Sequence, residues 1–209
     1  MKPYYKDDYA TIFHADCREV LPTLDKVDLV LTDPPYGIAY KHGGGNYANA
    51  PTVIDAVAGD DTPFDPAFLP RPMIVWGANH YHARIPDGGR WLVWDKREGV
   101  IPERDQADCE LAWCSDKGVD RMFRHYWDGF NRKSERGIPR VHPTQKPEAL
   151  MKWCMGFYPE AQTILDPFMG SGTTLRAAKD LRRKCIGIEL EEKYCEIAAI
   201  RLQQEVLAL

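Results

Sequence analysis

Two acidic segments that follow apolar runs carry the residue types best suited to chemistry. The first is Asp33-Pro34-Pro35-Tyr36. Two consecutive prolines restrict the backbone and remove two N–H donors, so their carbonyl oxygens stay available as acceptors. An acid before them and an aromatic ring after them favour a planar group that donates through an amino substituent. An ordinary Pro-Pro turn after a strand explains the same residues, so this motif alone leaves both interpretations open.

The second segment is the glycine-rich sequence DPFMGSGTT at residues 166–174. Gly170 and Gly172 allow a tight turn and close backbone approach, and the helix predicted after them presents N–H groups to an anion. The next predicted strand ends near Glu189, 23 residues beyond Asp166. An acid at that place accepts hydrogen bonds from a ribose diol in dinucleotide-binding folds.

The glycine-rich segment also lacks features that other nucleotide sites need. It has no G-x-x-x-x-G-K-[ST] pattern for a triphosphate and no complete G-x-G-x-x-G pattern for a dinucleotide. A nucleoside cofactor with a smaller anionic group, such as a carboxylate, fits better. A plain strand-to-helix turn remains the alternative at this point.

The elements that must position these motifs alternate between strand and helix at both ends of the chain. Apolar runs predict strands at 11–15, 27–32, 73–76, 91–94, 110–114, 122–127, 163–165 and 185–188. Helical spacing predicts helices at 17–24, 147–157, 173–181 and 191–206. The pattern predicts an α/β fold with a mostly parallel twisted sheet and helices on both faces. In such sheets ligands bind beyond the carboxyl ends of the strands, which is where both motifs fall.

The amino-acid composition limits the classes of protein to which this chain can belong. The chain has 209 residues, of which 44% are hydrophobic and 28% charged, so we expect one globular domain. A formal charge of −4 argues against a protein that coats nucleic acid by bulk electrostatics. The six cysteines are scattered without zinc-type spacing, which predicts buried thiols and no metal. No apolar stretch approaches 18 residues, so we expect a soluble cytoplasmic protein outside the membrane.

The charge is unevenly distributed along the chain. The segment 121–146 carries seven basic and two acidic residues, a net of +5, whereas the rest carries 20 basic and 29 acidic residues, a net of −9. Aromatic residues and an asparagine interleave with the cations, which favours contact with DNA phosphates and bases over a solvated charged face. The predicted DNA-binding residues are Arg121, Arg124, Arg132, Lys133, Arg136 and Arg140.

Together, DPPY at 33–36 and DPFMGSGTT at 166–174 resemble the two signature motifs of the amino-methylating DNA methyltransferases. A third segment, HPTQKP at 142–147, resembles the one that precedes the glycine motif in that family. The order of the motifs is that of the permuted β-type group, of the small phage- or restriction-associated kind. The resemblance implies a Rossmann-like fold and methyl transfer from S-adenosylmethionine to the N6 of adenine or the N4 of cytosine in double-stranded DNA.

The resemblance also implies roles for individual residues. The catalytic motif would be Asp33, Pro34, Pro35 and Tyr36. The cofactor would be held by Asp16, Asp166, Phe168, Gly170, Ser171, Gly172, Thr173, Glu189 and Lys146. Lys146 is expected near the cofactor carboxylate or a DNA phosphate. For Asp16, the alternative role of a helix N-cap stays open.

The implied mechanism needs no covalent intermediate. Asp33 and the carbonyl of Pro34 would accept the two N–H bonds of the target amino group, and Tyr36 would stack on a base flipped out of the duplex. The aspartate at the head of the motif favours adenine over cytosine in this family. Cytosine N4 methylation stays open as an alternative, as does a non-catalytic DNA-binding protein on the same fold.

The motif order also predicts how one domain is divided. A catalytic half at about 10–115 precedes a short target-recognition segment at about 116–141 and a cofactor-binding half at about 142–209. Larger relatives carry a separate recognition subdomain at this place. The chain therefore reads a brief site, uses residues 37–64 as a second reader, or relies on a second copy in a homodimer.

Overall fold

A computed structural model describes residues 1–38, 59–99, 107–128, 131–137, 141–142 and 144–203. The predicted DNA-binding residue Arg140 and most of the segment 37–64 lie outside the described residues. Within the described part, nine strands form one sheet and two short strands form a separate hairpin.

The large sheet contains both motif-bearing strands at its centre. Its first seven strands are β1 (Tyr5–Lys6), β2 (Ala10–His14), β3 (Leu29–Thr32), β4 (Met73–Trp76), β5 (Arg90–Asp95), β6 (Cys109–Cys114) and β7 (Arg121–Arg124). The separate hairpin of β8 (Trp127–Asp128) and β9 (Asn131–Arg132) comes next in the chain. Strands β10 (Thr163–Asp166) and β11 (Lys184–Glu189) complete the large sheet. Their order across the sheet is β1-β2-β11-β10-β3-β4-β6-β5-β7.

Strands β2, β11, β10, β3 and β4 all run parallel. Strand β6 is antiparallel to both β4 and β5, so β5 and its parallel neighbour β7 run in the same direction as β4. As a result, the start of β6 meets the carboxyl ends of β3, β4, β5, β10 and β11 at one edge of the sheet. Strands β3 and β4 are fully buried, which explains their continuous apolar sequence.

The helices cover the two faces of the sheet unequally. Helices α2 (Glu148–Met155), α3 (Thr173–Asp180) and α4 (Glu192–Gln203) pack on one face and bury their apolar residues with Ile12, Leu29 and Trp76. The short helix α1 (Cys17–Val20) packs on the other face with Val30 and Leu165. The predicted α/β class, with helices on both faces of a mostly parallel sheet, is confirmed.

Two predicted elements are divided in the structure, whereas the others differ by at most two residues at their ends and the end of the helix predicted at 191–206 lies outside the described residues. The helix predicted at 17–24 is α-helical only over Cys17–Val20 and continues as a 3-10 turn over Leu21–Thr23. Pro22 lacks the N–H that an α-helix needs at this position. The strand predicted at 122–127 is also divided, because the chain leaves the large sheet after Arg124 and enters the hairpin at Trp127.

The predicted burial of the cysteines holds with one exception. Five cysteines are buried and Cys109 is exposed, and all six are free thiols. Trp76 and Trp94 are buried in the core, whereas Trp91 is only partly buried. In the described part of the chain no helix has the length and apolar character needed to cross a membrane.

Candidate active site

The two acidic motifs meet at one edge of the sheet. Strands β3 and β10 are parallel neighbours, with Leu29 opposite Ile164 and Val30 opposite Leu165. Asp33 follows β3 and Asp166 ends β10, so the fold brings together two motifs that lie 133 residues apart in the sequence. A cavity of about 990 Å³ opens at this edge. Its lining includes Asp16, Asp33, Pro34, Tyr36, Phe168 and Glu189.

The Asp33 carboxylate is held from two sides. The hydroxyl of Tyr36 donates to Oδ1 at 2.6 Å, and Nζ of Lys146 donates to Oδ2 at 2.5 Å. Burial raises the pKa of Asp33, while the adjacent ammonium of Lys146 opposes that rise. A carboxylate offers about four lone-pair positions. Asp33 therefore keeps acceptor capacity for a further donor in the cavity.

Lys146 is buried, with only 7% of its side chain exposed. The sequence placed it near the cofactor carboxylate or a DNA phosphate, but the structure places its ammonium between Asp33 and Glu110, with Oε2 of Glu110 at 3.0 Å. Burial by itself would lower the pKa of Lys146, but the two carboxylates raise it above the ordinary value. The lysine is therefore a cation in contact with the predicted catalytic acid.

Glu110 is a site residue that the sequence did not predict. Its Oε1 pairs with Nζ of Lys96 at 2.9 Å, while its Oε2 faces Lys146. Burial alone would raise the pKa of Glu110, but Lys146 and Lys96 lower it to about 2, so it is a carboxylate. The available signal was an acid near the start of the otherwise apolar strand Cys109–Cys114.

The ring of Tyr36 is seated by two neighbours from the loop after β4. The imidazole of His80 stacks on it, with ring centroids 4.9 Å apart and planes 14° from parallel. Gly77 has φ of 70°, and a Cβ at this position would overlap the Tyr36 ring. A base that stacks where His80 now lies would have to displace the imidazole. Neither Gly77 nor His80 was predicted to belong to the site.

The glycine-rich loop is bound to Glu189 at the end of β11. The N–H of Gly170 donates to Oε2 of Glu189 at 3.0 Å, and the N–H of Glu191 donates to Oε1 at 2.9 Å. Burial raises the pKa of Glu189. Gly170 has φ of 50°, which favours glycine, and an added Cβ would lie 3.4 Å from Nε2 of His142. The start of the loop is thus held against the end of β11.

Asp166 lies deeper than the rest of the glycine motif. It is 3% exposed and accepts hydrogen bonds from Oγ1 of Thr32 at 2.7 Å and from the N–H of Phe168 at 3.2 Å. Burial raises its pKa to about 6. It borders a small adjoining cavity of about 50 Å³ together with Ser171 and Thr173. In this structure Asp166 therefore ties the loop to β3.

The remainder of the loop is fixed by Arg201 of α4, which the sequence did not predict. Nη1 of Arg201 donates to the backbone oxygen of Ser171 at 2.8 Å and lies 3.4 Å from Oγ1 of Thr173. Gly172 has φ of 79°, and a Cβ there would come within 2.7 Å of Cβ of Ala198. Helix α4 therefore holds the loop in its shape.

Asp16 takes the helix-capping role and also lines the cavity, where its predicted contact with a cofactor stays a prediction. Its side chain accepts from the N–H of Arg18 at 2.8 Å and so caps helix α1. The same residue lines the large cavity beside Glu189. Both acids thus lie on the wall formed by the ends of β2 and β11.

The predicted DNA-binding cations do not lie on one surface. Side chains alternate along a strand, so Arg121 lies on the same face of β7 as Phe123, which packs against Trp153 of α2. Arg124 lies on the other face and approaches Asp95 at 3.6 Å. In the adjoining hairpin, Lys133 pairs with Glu98 at 2.5 Å. Arg124 and Lys133 are therefore both bound to the end of β5 and the loop after it.

The two remaining described cations belong to the hairpin region. The guanidinium of Arg132 lies 5.2 Å from the ring centroid of Trp127, which itself lines the cavity. Arg136 is exposed and its Nε donates to the backbone oxygen of Arg132 at 3.1 Å. This part of the segment lies beside the cavity mouth. Acids from outside the segment neutralise part of its formal charge.

Comparison with models of protein families shows which family the chain belongs to. The N6/N4 family model, described as DNA methylase, matches residues 91–200, which is more than half of the chain. The chain belongs to the N6/N4 DNA methylase family. The match includes Glu110, Lys146 and the glycine-rich loop, whereas residues 33–36 precede it. The family resemblance predicted from the three motifs is confirmed.

Curated relatives match along almost the whole chain. The type II methyltransferase M2.LlaDCHI of Lactococcus lactis subsp. cremoris is 27% identical, over 97% of this chain and 93% of the relative. The type II methyltransferase M2.DpnII of Streptococcus pneumoniae is 27% identical, over 98% of this chain and 93% of the relative. M.HinfI of Haemophilus influenzae is 26% identical, over 98% of this chain and 71% of the relative.

Solved structures agree with this assignment. The M1.HpyAVI–SAM complex is 29% identical with a TM-score of 0.53, over 93% of this chain and 100% of the other. The PvuII DNA methyltransferase, described as cytosine-N4-specific, has a TM-score of 0.64 at 16% identity. The match covers 99% of this chain and 91% of the other. The second similarity is one of fold. The predicted methyltransferase fold is therefore confirmed.

Proposed function

We propose that this chain is an S-adenosylmethionine-dependent DNA methyltransferase that acts in the cytoplasm on the N6 amino group of adenine. The observation that carries the proposal is the position of Asp33, whose carboxylate opens to a large cavity beside the glycine-rich loop of a neighbouring parallel strand. A hydrogen-bond acceptor beside a nucleoside site fits an exocyclic amino group as substrate.

The cavity wall fits S-adenosylmethionine. Glu189 and Asp16 supply carboxylates for the ribose hydroxyls and the adenine end, and Phe168 and Ile188 supply apolar surface for a ring. Each Glu189 oxygen accepts one backbone N–H and keeps a lone pair for a hydroxyl. Gly170 of the loop also lines this wall. S-adenosylmethionine, when bound, supplies an electrophilic methyl group.

The residues of the chain act on the target base. Asp33 and the Pro34 carbonyl accept the amino N–H groups, which frees the nitrogen lone pair from the flat geometry that makes it a poor nucleophile. Tyr36 holds Asp33 and offers its ring to the extruded base. Base extrusion costs a few kcal/mol, about the scale that stacking returns. Asp33 is a carboxylate acceptor at this stage and can take up the released proton directly or through water.

The proposal predicts a modified base in living cells. Expression in a bacterial host that lacks its own DNA methylation should produce N6-methyladenine at one short sequence motif across the genome. Long-read sequencing that distinguishes modified bases identifies both the base and the motif. N4-methylcytosine instead would show the cytosine alternative, and an unmodified genome, with the protein folded and expressed, would favour the non-catalytic DNA-binding protein.

The exposed cations of the basic segment should contribute to DNA affinity. Arg124 and Lys133 have exposed side chains, at 68% and 54%, and both belong to the basic segment 121–146. We expect Arg124→Ala and Lys133→Ala each to weaken binding and to lower the slope of log K against log salt by about 1, because each contacted phosphate releases a counterion. Fluorescence anisotropy with a mixed-sequence duplex at several salt concentrations measures this slope.

The matched control for these variants is Arg121→Ala. Arg121 is an exposed arginine of the same strand as Arg124 but lies on the opposite face. Its removal should leave the salt slope near the wild-type value. An equal decrease for all three variants would contradict a defined DNA path and would indicate a diffuse effect of net charge.

A further inference from the structure

Four side chains of alternating charge lead from strand β5 into the active site. Lys96 pairs with Glu110 at 2.9 Å, Glu110 with Lys146 at 3.0 Å, and Lys146 with Asp33 at 2.5 Å. Lys146 is 7% exposed and the other three side chains are 20–26% exposed. A buried ammonium is costly unless it is paired and hydrogen-bonded, so the two carboxylates together hold Lys146 in place.

Two carboxylates share the one ammonium of Lys146. Asp33 and Glu110 both lie within hydrogen-bond distance of its Nζ, and the Tyr36 hydroxyl lies 3.4 Å from it. The second oxygen of Glu110 is bound to Lys96, which keeps this side chain in place. The strength of the ion pair between Lys146 and Asp33 therefore depends on Glu110.

We propose that Lys146 and Glu110 are positioning residues for Asp33. Lys146 orients the Asp33 carboxylate toward the target amino group. Glu110 weakens the interaction of Lys146 with Asp33, because it binds the same ammonium. The inference rests on the proposed methyl transfer, in which Asp33 is the group that touches the substrate. It gives Lys146 a role in the catalytic half of the site. Neither residue contacts the reacting atoms itself.

The charges around Asp33 give the two residues opposite effects. Burial raises the pKa of Asp33, Lys146 opposes the rise and the like charge of Glu110 adds to it. Among the described residues, Asp33 also faces the Tyr36 hydroxyl, Tyr81 from the loop after β4 and Asp166 from β10. Loss of the Lys146 charge should raise the pKa of Asp33 further, and loss of the Glu110 charge should lower it.

The test is a pH–rate profile of the wild type, Lys146→Met and Glu110→Gln, measured as transfer of labelled methyl groups to DNA. Activity should fall at acid pH as Asp33 takes up a proton. The midpoint of that fall should move up by about one pH unit in Lys146→Met and down in Glu110→Gln. Unchanged midpoints, or shifts in the same direction, would overturn the proposal, because general structural damage does not move midpoints in opposite directions.

A second measurement does not depend on methyl transfer. Carbon-13 labelling of aspartate carboxyl groups allows Asp33 to be titrated by NMR, and Asp33→Asn identifies its signal. The same opposite shifts are expected in the two variants. If the wild type transfers no methyl group, the proposed function fails while this titration still decides the inference. Coincident Asp33 titrations in all variants would refute it even in an active enzyme.

Lys96→Met provides a variant whose side chain does not touch Asp33. Without Lys96, the ion pair between Glu110 and Lys146 should become stronger and that between Lys146 and Asp33 weaker. The midpoint of the Asp33 titration should therefore rise, but by less than in Lys146→Met. Lys146→Arg keeps the charge and should restore most of the wild-type profile. These two variants keep the test decisive if Lys146→Met fails to fold, since a falling midpoint in Lys96→Met would contradict the sharing of the ammonium.

Discussion

Asp33→Ala should abolish methyl transfer, lowering the rate by at least about 10²–10⁴-fold, while affinity for S-adenosylmethionine changes little. The alanine removes the carboxylate that accepts the target N–H and leaves only the Pro34 carbonyl. The proposed cofactor wall at Asp16, Phe168 and Glu189 should stay intact, because the hydrogen bonds of these residues run to the backbone N–H groups of Arg18, Gly170 and Glu191 and to the Asp166 carboxylate. Single-turnover methylation assays and isothermal titration calorimetry measure the two quantities separately.

The Asp33 variant also changes the charge of the site, which a control must separate from the chemistry. Without Asp33, Glu110 remains as the carboxylate partner of Lys146 among the described residues. Asp33→Asn retains the shape and one oxygen acceptor and should lose activity with a smaller effect on the melting temperature. Asp87→Ala, in the exposed loop before β5, removes an acid at the opposite edge of the sheet and should leave the rate unchanged. Undiminished transfer by Asp33→Ala would remove Asp33 from the mechanism.

The pairing of the two motifs could be predicted from the sequence because each follows an apolar strand of a mostly parallel sheet. Parallel strands place their carboxyl ends at one edge, so Asp33 and Asp166 were expected near each other. That β3 and β10 are direct neighbours is a matter of strand order, which the local sequence pattern does not determine.

The partners of Lys146 could not be predicted in the same way. Glu110 reaches the site only because β6 runs antiparallel between β4 and β5, which places its first residues at the carboxyl edge of the parallel strands. A single reversed strand leaves no local sign of its direction. A lysine in a motif next to a glycine loop suggests an anion of the ligand, whereas here the anions are side chains of the protein.

The basic segment shows a related limit of counting charges along a sequence. Its net of +5 includes Arg124 and Lys133, which pair with Asp95 and Glu98 from outside the segment. Alternation along β7 further separates Arg121 from Arg124. The sequence thus located the cationic region, but the fold determines which of its cations face the cavity.

Gly77→Ala should have the second large effect, because this position combines a left-handed backbone with a close aromatic neighbour. Gly77 has φ of 70°, and an added Cβ would overlap ring carbons of Tyr36. Left-handed strain and overpacking together should lower the free energy of unfolding by about 2–5 kcal/mol. The displaced ring would also lose the hydrogen bond from the Tyr36 hydroxyl to Asp33. We expect methylation to fall by roughly 10²-fold or more, the scale of a lost positioning contact.

The chain offers a matched control that separates strain from overlap. Gly88 has φ of 89°, and a Cβ there would meet nothing within 4 Å, so Gly88→Ala carries the backbone strain alone, about 1–2 kcal/mol, and should keep wild-type activity. Chemical denaturation gives both free energies. In a Tyr36→Ala background the ring is absent, so the cost of Gly77→Ala should shrink toward that of Gly88→Ala. An unchanged cost in that background would show that the Tyr36 ring is not what requires glycine at position 77.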